Sequence, residues 1–149
     1  MNVLKTEGLL KAYNGRKVVD NVSMQVNRGE IVGLLGPNGA GKTTTIKMLT
    51  CLLQPTSGEA SVGGVNVMES PNEVKRSMGY LPENPFLYDK LSGREFLQFV
   101  ADVHGVQKKH DKIQKFMELF ELSDAADDLI EGYSLGMKKK VAIGAALIH

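Results

Sequence analysis

The sequence predicts an α/β fold, with a parallel sheet covered by helices and with additional antiparallel β and all-helical portions. Residues 31–35 are apolar at every position, which is typical of a central parallel strand that is buried on both faces. A glycine-rich turn follows, and then Ile46, Leu49 and Leu53 recur at helical spacing. Residues 93–122 carry two successive apolar patterns of helical period. Together these patterns predict layers of sheet and helix.

Three further segments have the patterns of β-strands. Residues 22–26 alternate between apolar and polar, which predicts a half-buried strand that ends in the turn from Asn27 to Gly29. Residues 60–67, with two glycines at their centre, predict a β-hairpin. Residues 78–81 predict a short strand that Pro82 ends.

Capping signals and apolar spacing predict four further helices. Ser70 to Glu73 has the spacing of a capping box with Pro71 at the first helical position, and Ser92 to Glu95 has the same spacing. The last pattern runs to His149 with neither a C-cap glycine nor a polar tail, so we expect a chain that has been cut. The residues predicted to form buried faces are Phe96, Phe99, Val100 and Val103 in the second helix, Ile113, Phe116, Met117 and Phe120 in the third, and Met137, Val141, Ala145 and Ile148 in the fourth.

The composition excludes several classes of function. With 42% hydrophobic and 23% charged residues over 149 positions, the chain is expected to fold as one globular domain. Its net charge of +1 gives no electrostatic argument for a nucleic-acid partner. The single cysteine, Cys51, has no partner for a disulfide, which fits a reducing cytosol. The histidines lack metal-ligand spacing, and no apolar run reaches the roughly 18 residues needed to cross a membrane.

One motif carries specific chemistry, a phosphate-binding loop between the apolar run and the helix that follows it. Its glycines permit backbone angles at which successive N–H groups point at one anion, and the helix start adds its positive end. Lys42 supplies a charge for the β- and γ-phosphates, and the Thr43 hydroxyl can bind Mg²⁺. The alternative is a chance glycine-rich turn, which the flanking strand and helix patterns disfavour. The predicted ATP-binding residues here are Gly36, Pro37, Asn38, Gly39, Ala40, Gly41, Lys42, Thr43 and Thr44.

A second motif narrows the family. Residues 133–140 resemble a divergent form of the signature motif of ABC-type ATPases. The order of Tyr13, the phosphate loop, residues 79–83, a helical region and the signature is similar to that of ATP-binding subunits of bacterial ABC transporters of the export type. The resemblance implies a P-loop NTPase core with an incomplete parallel sheet, an N-terminal antiparallel β-subdomain and an inserted helical subdomain. It divides the chain into an ATP-binding core with the β-subdomain (1–85), a helical subdomain (86–135) and a signature helix (134–149).

The resemblance also implies roles for two residues outside the loop. Tyr13 would stack on the adenine ring, because an aromatic face supplies affinity at little cost in rotamer freedom. The alternative for Tyr13 is an ordinary surface tyrosine at the end of a strand. Glu83 stands where the family usually has a glutamine, and its carboxylate would bind Mg²⁺ together with Thr43.

The signature residues are implied to act on a second subunit. Ser134 and Gly136 would open a helix whose positive end holds the γ-phosphate of ATP bound to that subunit. Leu135 and Met137 replace the usual glycine and glutamine, so this contact is expected to be weaker. The alternative is an ordinary Ser-capped helix.

The function implied by the resemblance is energy coupling. ATP with Mg²⁺ would close two such subunits and drive a separate transmembrane permease, with the chain cytoplasmic and peripheral on the inner face of the cell membrane. No residue matches the aspartate, glutamate and histidine that the family uses for hydrolysis, so no catalytic residue is assigned and ATPase activity of this chain stays open. Two alternatives also stay open, a soluble ABC-type protein without a transport role and a fragment that is inert or only binds nucleotide. No nucleic-acid partner is implied.

Overall fold

The computed structural model describes residues 2–149. The chain forms two compact units, which divide in sequence between Met78 and Gly79. Each unit has a hydrophobic core of its own.

The first unit is a four-stranded antiparallel sheet with two helices. Its strands are β1 (Asn2–Tyr13), β2 (Arg16–Asn27), β3 (Ser57–Val62) and β4 (Val65–Asn66), in the spatial order β2-β1-β3-β4. Its helices are α1 (Lys42–Leu49) and α2 (Pro71–Ser77). The predicted strand at 22–26 and the predicted hairpin at 60–67 are confirmed. The core of this unit consists of Leu9, Val19, Met48, Leu49, Ala60, Val67 and Val74.

The prediction of a central parallel strand at residues 31–35 is wrong for this structure. The segment has no regular secondary structure, and every pairing in the sheet is antiparallel. Ile31 is 102% exposed and Leu35 is 91% exposed, so these side chains are covered by neither sheet nor helix. A strand forms only where a neighbour accepts its backbone hydrogen bonds, and within residues 2–149 no strand pairs with this segment. The apolar composition of residues 31–35 therefore favours burial, but it does not determine which strand or helix would cover the segment.

The second unit is helical. It contains α3 (Gly93–Val103), α4 (Lys109–Leu119) and α5 (Leu135–Leu147), with short 3₁₀ turns at Ser123–Ala125 and Ile130–Gly132. The helices predicted within 93–122 and after Ser134 are confirmed. The core of this unit is formed by Phe96, Leu97, Ala101, Ile113, Phe116, Met117, Leu122, Ala126, Ile130, Tyr133, Val141 and Ile148.

The capping box at Ser92 is confirmed, whereas the one at Ser70 is wrong. The Ser92 hydroxyl accepts from the Glu95 N–H at 3.2 Å, and the Glu95 carboxylate accepts from the Ser92 N–H at 2.8 Å. At Ser70 the helix starts as predicted with Pro71 first, but no side-chain cap forms. The Glu73 N–H instead donates to the Ser70 carbonyl oxygen at 3.1 Å. A backbone oxygen thus accepts the hydrogen bond that the Ser70 hydroxyl was expected to accept.

Two other local predictions differ from the structure. Residues 78–81 form no strand. On α3 the buried face is rotated from the predicted one, since Phe99 is 47% exposed and Val103 is 69% exposed. The buried stripe runs instead through Gly93, Phe96, Leu97 and Ala101. The small residues of this stripe allow close approach, because a Cβ on Gly93 would lie only 2.5 Å from the Tyr133 hydroxyl.

Candidate nucleotide-binding site

The phosphate loop owes its shape to its glycines. Gly36, Gly39 and Gly41 have φ angles of 153°, 82° and 85°, which L residues with side chains rarely adopt. Gly41 is also the N-cap residue of α1, so the loop runs directly into the first turn of that helix. A Cβ on Gly41 would press against the backbone carbonyl oxygen of Val18, which places β2 directly behind the loop.

The Lys42 ammonium is held by the loop itself. Its Nζ donates to the carbonyl oxygens of Gly36 and Pro37, each at 2.7 Å. These two bonds fix a positive charge beside the loop at the N-terminal end of α1, where the helix dipole is also positive. The local field therefore favours an anion.

Three consecutive threonines follow Lys42 and have different environments. Thr43 is exposed in the first turn of α1, and Thr44 is half-buried. Thr45 is buried, and its hydroxyl donates to the Gly41 carbonyl oxygen at 3.0 Å. Thr45 thus ties the helix to the glycine at the loop's end. This role of Thr45 was not predicted, although a threonine four residues after the N-cap can donate a hydrogen bond to the N-cap carbonyl oxygen.

Tyr13 ends β1 with a half-exposed ring. The Lys11 ammonium lies 5.1 Å from the ring centroid, within the range of a cation–π contact. One aromatic face is thereby paired with a cation, and the tyrosine keeps exposed surface on which a planar group could stack. Both this stacking role and the surface-tyrosine alternative stay predictions.

Glu83, Ser134 and Gly136 lie in the second unit, whereas the loop and Tyr13 lie in the first. Glu83 is exposed in a segment without regular structure. Ser134 is the N-cap residue of α5, and its hydroxyl accepts from the Met137 N–H at 3.2 Å. Ser134 and Gly136 are both exposed, so the first turn of α5 is open to solvent.

The turn before α5 is anchored by Tyr133. Its buried ring packs against Gly93, and its hydroxyl donates to the Ala125 carbonyl oxygen. Burial raises the pKa of the Tyr133 phenol, since the charged phenolate would lose its hydration.

This pKa shift predicts a specific dependence of stability on pH. Because the folded-state pKa of Tyr133 lies above its unfolded value of about 10, its contribution to stability is fully present below pH 10. The contribution is lost as the pH rises through the folded-state pKa. We expect Tyr133→Phe to flatten the alkaline fall in the free energy of unfolding, measured by urea denaturation from pH 9 upward. An identical alkaline slope in both proteins would contradict the burial argument.

Sequence comparison decides the family to which these features belong. The sequence model of the family described as "ABC transporter" matches residues 19–149. The chain belongs to the ABC transporter ATP-binding proteins. It is 42% identical over 149 residues to the uncharacterized ABC transporter ATP-binding protein YxlF of Bacillus subtilis, covering 99% of this chain and 49% of YxlF. It is 40% identical to the bacitracin transport ATP-binding protein BcrA of Bacillus licheniformis, covering 99% of this chain and 48% of BcrA.

The fold of this ABC ATP-binding protein also has a solved counterpart. The structure of an ATP-binding subunit of an ABC transporter superposes with a TM-score of 0.89 at 33% identity, covering 98% of this chain and 62% of that one. The predicted family and the predicted α/β class are thereby confirmed. The chain spans about half the length of the two curated relatives.

Within residues 2–149, no cluster of three or more His, Cys, Asp or Glu residues could hold a metal ion by itself. None of the described helices combines the length and the apolar character needed to cross a membrane. Two of the three lysines after the signature have partners within the chain. Lys138 forms an ion pair with Asp89 at 3.1 Å, and Lys140 donates to the Phe120 carbonyl oxygen at 2.7 Å.

Proposed function

We propose that this ABC ATP-binding protein binds Mg·ATP through residues 36–44, closes against a second ATP-binding subunit and acts on a separate permease. The observation that carries the proposal is the Lys42 ammonium, held at 2.7 Å from two loop carbonyl oxygens beside the start of α1. A fixed cation, loop N–H groups and a helix N-terminus form a combination that binds polyphosphate. Tyr13, with its half-exposed ring, is proposed as the adenine-stacking residue.

The oxygen donors suit magnesium. Thr43 offers an exposed hydroxyl in the first turn of α1, and Glu83 offers an exposed carboxylate. Mg²⁺ prefers hard oxygen ligands and is usually bound by one or two protein oxygens together with phosphate and water. The lack of a metal-binding group of three or more His, Cys, Asp or Glu residues within 2–149 is therefore compatible with a Mg²⁺ that is bound mainly through the nucleotide.

An exposed aromatic surface supports the proposed permease partner. Phe86 is 99% exposed, and Tyr88 packs edge-on against Phe99 with ring centroids 5.8 Å apart. Val103, which follows Phe99 by one turn of α3, is also exposed. Exposed apolar patches rimmed by polar residues are typical of protein–protein contacts. In this role the protein would lie on the cytoplasmic face of the membrane, held there by the permease.

The proposed contact in trans uses the second unit. Ser134 and Gly136 stand at the exposed start of α5, whose positive end favours a phosphate. ATP bound at the loop of one subunit would then contact the signature of the other. The division into residues 1–85, 86–135 and 134–149 belongs to the same proposal.

Calorimetric titration with Mg·ATP, followed together with phosphate release, tests the proposal. We expect saturable one-site binding by the 149-residue protein without phosphate release above background, because no catalytic residue is assigned within it. The exposed apolar run at 31–35 favours the competing hypothesis of an inert fragment. Absence of binding by a protein that retains its circular dichroism spectrum would favour that hypothesis, and sustained phosphate release would contradict the assignment of binding alone.

A further inference from the structure

Residues 89–93 form hydrogen bonds with residues just before α5 and within its first turns. We propose that Asp89 and Tyr133 are positioning residues, which fix the first turn of α5 so that Ser134 and Gly136 stay exposed and aligned for a phosphate of the second subunit. The inference rests on the proposed function, since it assigns a purpose to the orientation of that turn. We call the contacts of Asp89 and Tyr133 with residues 125–138 the α5 clamp.

Asp89 connects to both sides of the helix start. Its backbone carbonyl oxygen accepts from the Glu131 N–H at 3.1 Å, before the helix begins. Its carboxylate accepts from the Lys138 ammonium at 3.1 Å, within the helix. The Lys138 backbone N–H in turn donates to the Ser134 carbonyl oxygen at 2.9 Å. Asp89 therefore brackets the turn that carries Ser134 and Gly136.

Tyr133 fixes the same turn from inside the unit. Its ring fills the space that a Cβ on Gly93 would need, and its hydroxyl bonds to the Ala125 carbonyl oxygen. Ser134 is the next residue and has an extended backbone, with φ −61° and ψ 160°, as an N-cap residue should. A rigid residue directly before the cap sets the direction in which the helix leaves.

Further backbone contacts make the clamp continuous. The Ile130 N–H donates to the Leu91 carbonyl oxygen at 2.9 Å, and Ser92 forms an isolated antiparallel bridge with Leu129. The stretch at 89–93 is thus paired with residues 129–131 much as two short strands would be. Through these backbone contacts, a displacement of residues 89–93 would also move residues 129–131, which precede α5.

Core packing alone does not account for this arrangement. The ring of Tyr133 adds apolar burial, but the side chain of Asp89 is largely exposed and adds none. An exposed ion pair contributes little to global stability. What Asp89 and Tyr133 share is the turn on which both act. The Met137 N–H of that turn is taken by the Ser134 hydroxyl, whereas the N–H groups before it have no partner inside the helix and can meet an anion.

Residue-resolved hydrogen exchange by NMR tests the clamp without nucleotide. The reporters are the amides of Met137 and Lys138, which are hydrogen-bonded to Ser134. We expect Asp89→Asn to raise exchange at these amides by up to about fivefold, and Tyr133→Phe, which loses an internal hydrogen bond, by up to about tenfold, with little change in the rest of α5. Asp89→Lys combined with Lys138→Asp should restore slow exchange, because the pair is re-formed with reversed charges.

Matched controls in the same unit separate positioning from packing. Asp102→Asn removes an ion pair with Lys109 that does not involve α5, and Tyr88→Phe removes an exposed hydroxyl. Neither control should change exchange at Met137 or Lys138. A uniform rise throughout the second unit in the clamp variants, or the same rise in the controls, would show a structural role only and overturn the proposal.

A second readout connects the clamp to the phosphate contact. Sedimentation velocity at increasing Mg·ATP should show ATP-driven self-association that is about tenfold weaker in the clamp variants, while calorimetric binding by each single chain is unchanged. Equal self-association in all variants would overturn the functional part of the inference. Failure of the wild-type chain to bind ATP would instead overturn the proposed function, and the exchange comparison would still decide whether the clamp holds the turn.

Discussion

Replacing Lys42 by alanine is expected to weaken Mg·ATP binding by roughly 100-fold. Hydrogen bonds to a charged group contribute up to about 3 kcal/mol each, and every 1.4 kcal/mol is a tenfold change in Kd. The ammonium also bonds to the carbonyl oxygens of Gly36 and Pro37, so its loss frees the loop as well as removing a charge. Both effects lower the affinity for the nucleotide. Titration calorimetry at fixed ionic strength measures the change.

Two variants isolate the reason for the effect. Lys47→Ala removes the same side chain from the last turn of α1 instead of the first. It should leave the affinity within about twofold, since an exposed lysine away from the helix start interacts with a phosphate there only weakly through water. Lys42→Arg keeps the charge but replaces a compact ammonium by a planar fork, so intermediate binding is expected. Equal affinity in Lys42→Ala and wild type would show that the Lys42 ammonium does not bind the nucleotide, and this would contradict the proposed function.

Local signals in the sequence predicted the parts of the fold that local interactions determine. The capping box of Ser92 and Glu95 acts over three residues and forms as predicted. The hairpin of β3 and β4 depends on two glycines at its turn, and both have positive φ. The phosphate loop depends in the same way on glycines within a few residues of each other. In each case the partner groups lie inside the motif.

Features that depend on distant partners could not be predicted. Asp89 and Lys138 are 49 residues apart, and nothing in either neighbourhood indicates their pairing. Residues 31–35 have the composition of a buried strand, but composition does not supply a neighbouring strand. The buried face of α3 was assigned to its large residues, whereas close approach by Tyr133 selects the side with Gly93. The sequence therefore predicted the local backbone shape of the loop better than the packing around it.

The support that β2 and α1 give to the loop was also missed, for a related reason. A Cβ on Gly41 would collide with the Val18 carbonyl oxygen, and the Thr45 hydroxyl donates to the Gly41 carbonyl oxygen. The motif requires a glycine at position 41 because of the backbone conformation of the loop. The structure adds a second reason, since there is no space for a side chain at Gly41.

The largest loss of stability is expected from Gly58→Ala in β3. Gly58 has a φ of +83°, and a Cβ there would press into the backbone of Gly8 and lie 2.7 Å from the Leu9 Cα. The left-handed conformation costs a residue with a side chain about 1 to 2 kcal/mol, and overpacking typically costs another 1 to 3 kcal/mol. The obstacle is backbone of β1, which cannot rotate aside as a side chain could. Leu9, fully buried in the core, would be displaced with it.

Gly64→Ala is the matched control for this prediction. Gly64 has the same φ of +83°, but a Cβ there would meet nothing within 4 Å. It should therefore lose only the conformational share, and the difference in free energy of unfolding between the two variants should be about 2 kcal/mol. Urea denaturation followed by far-UV circular dichroism gives both values. Equal losses would mean that β1 and β3 separate at Gly8 at little cost, and the bulge between Glu7 and Leu10 would then be the yielding point of the sheet.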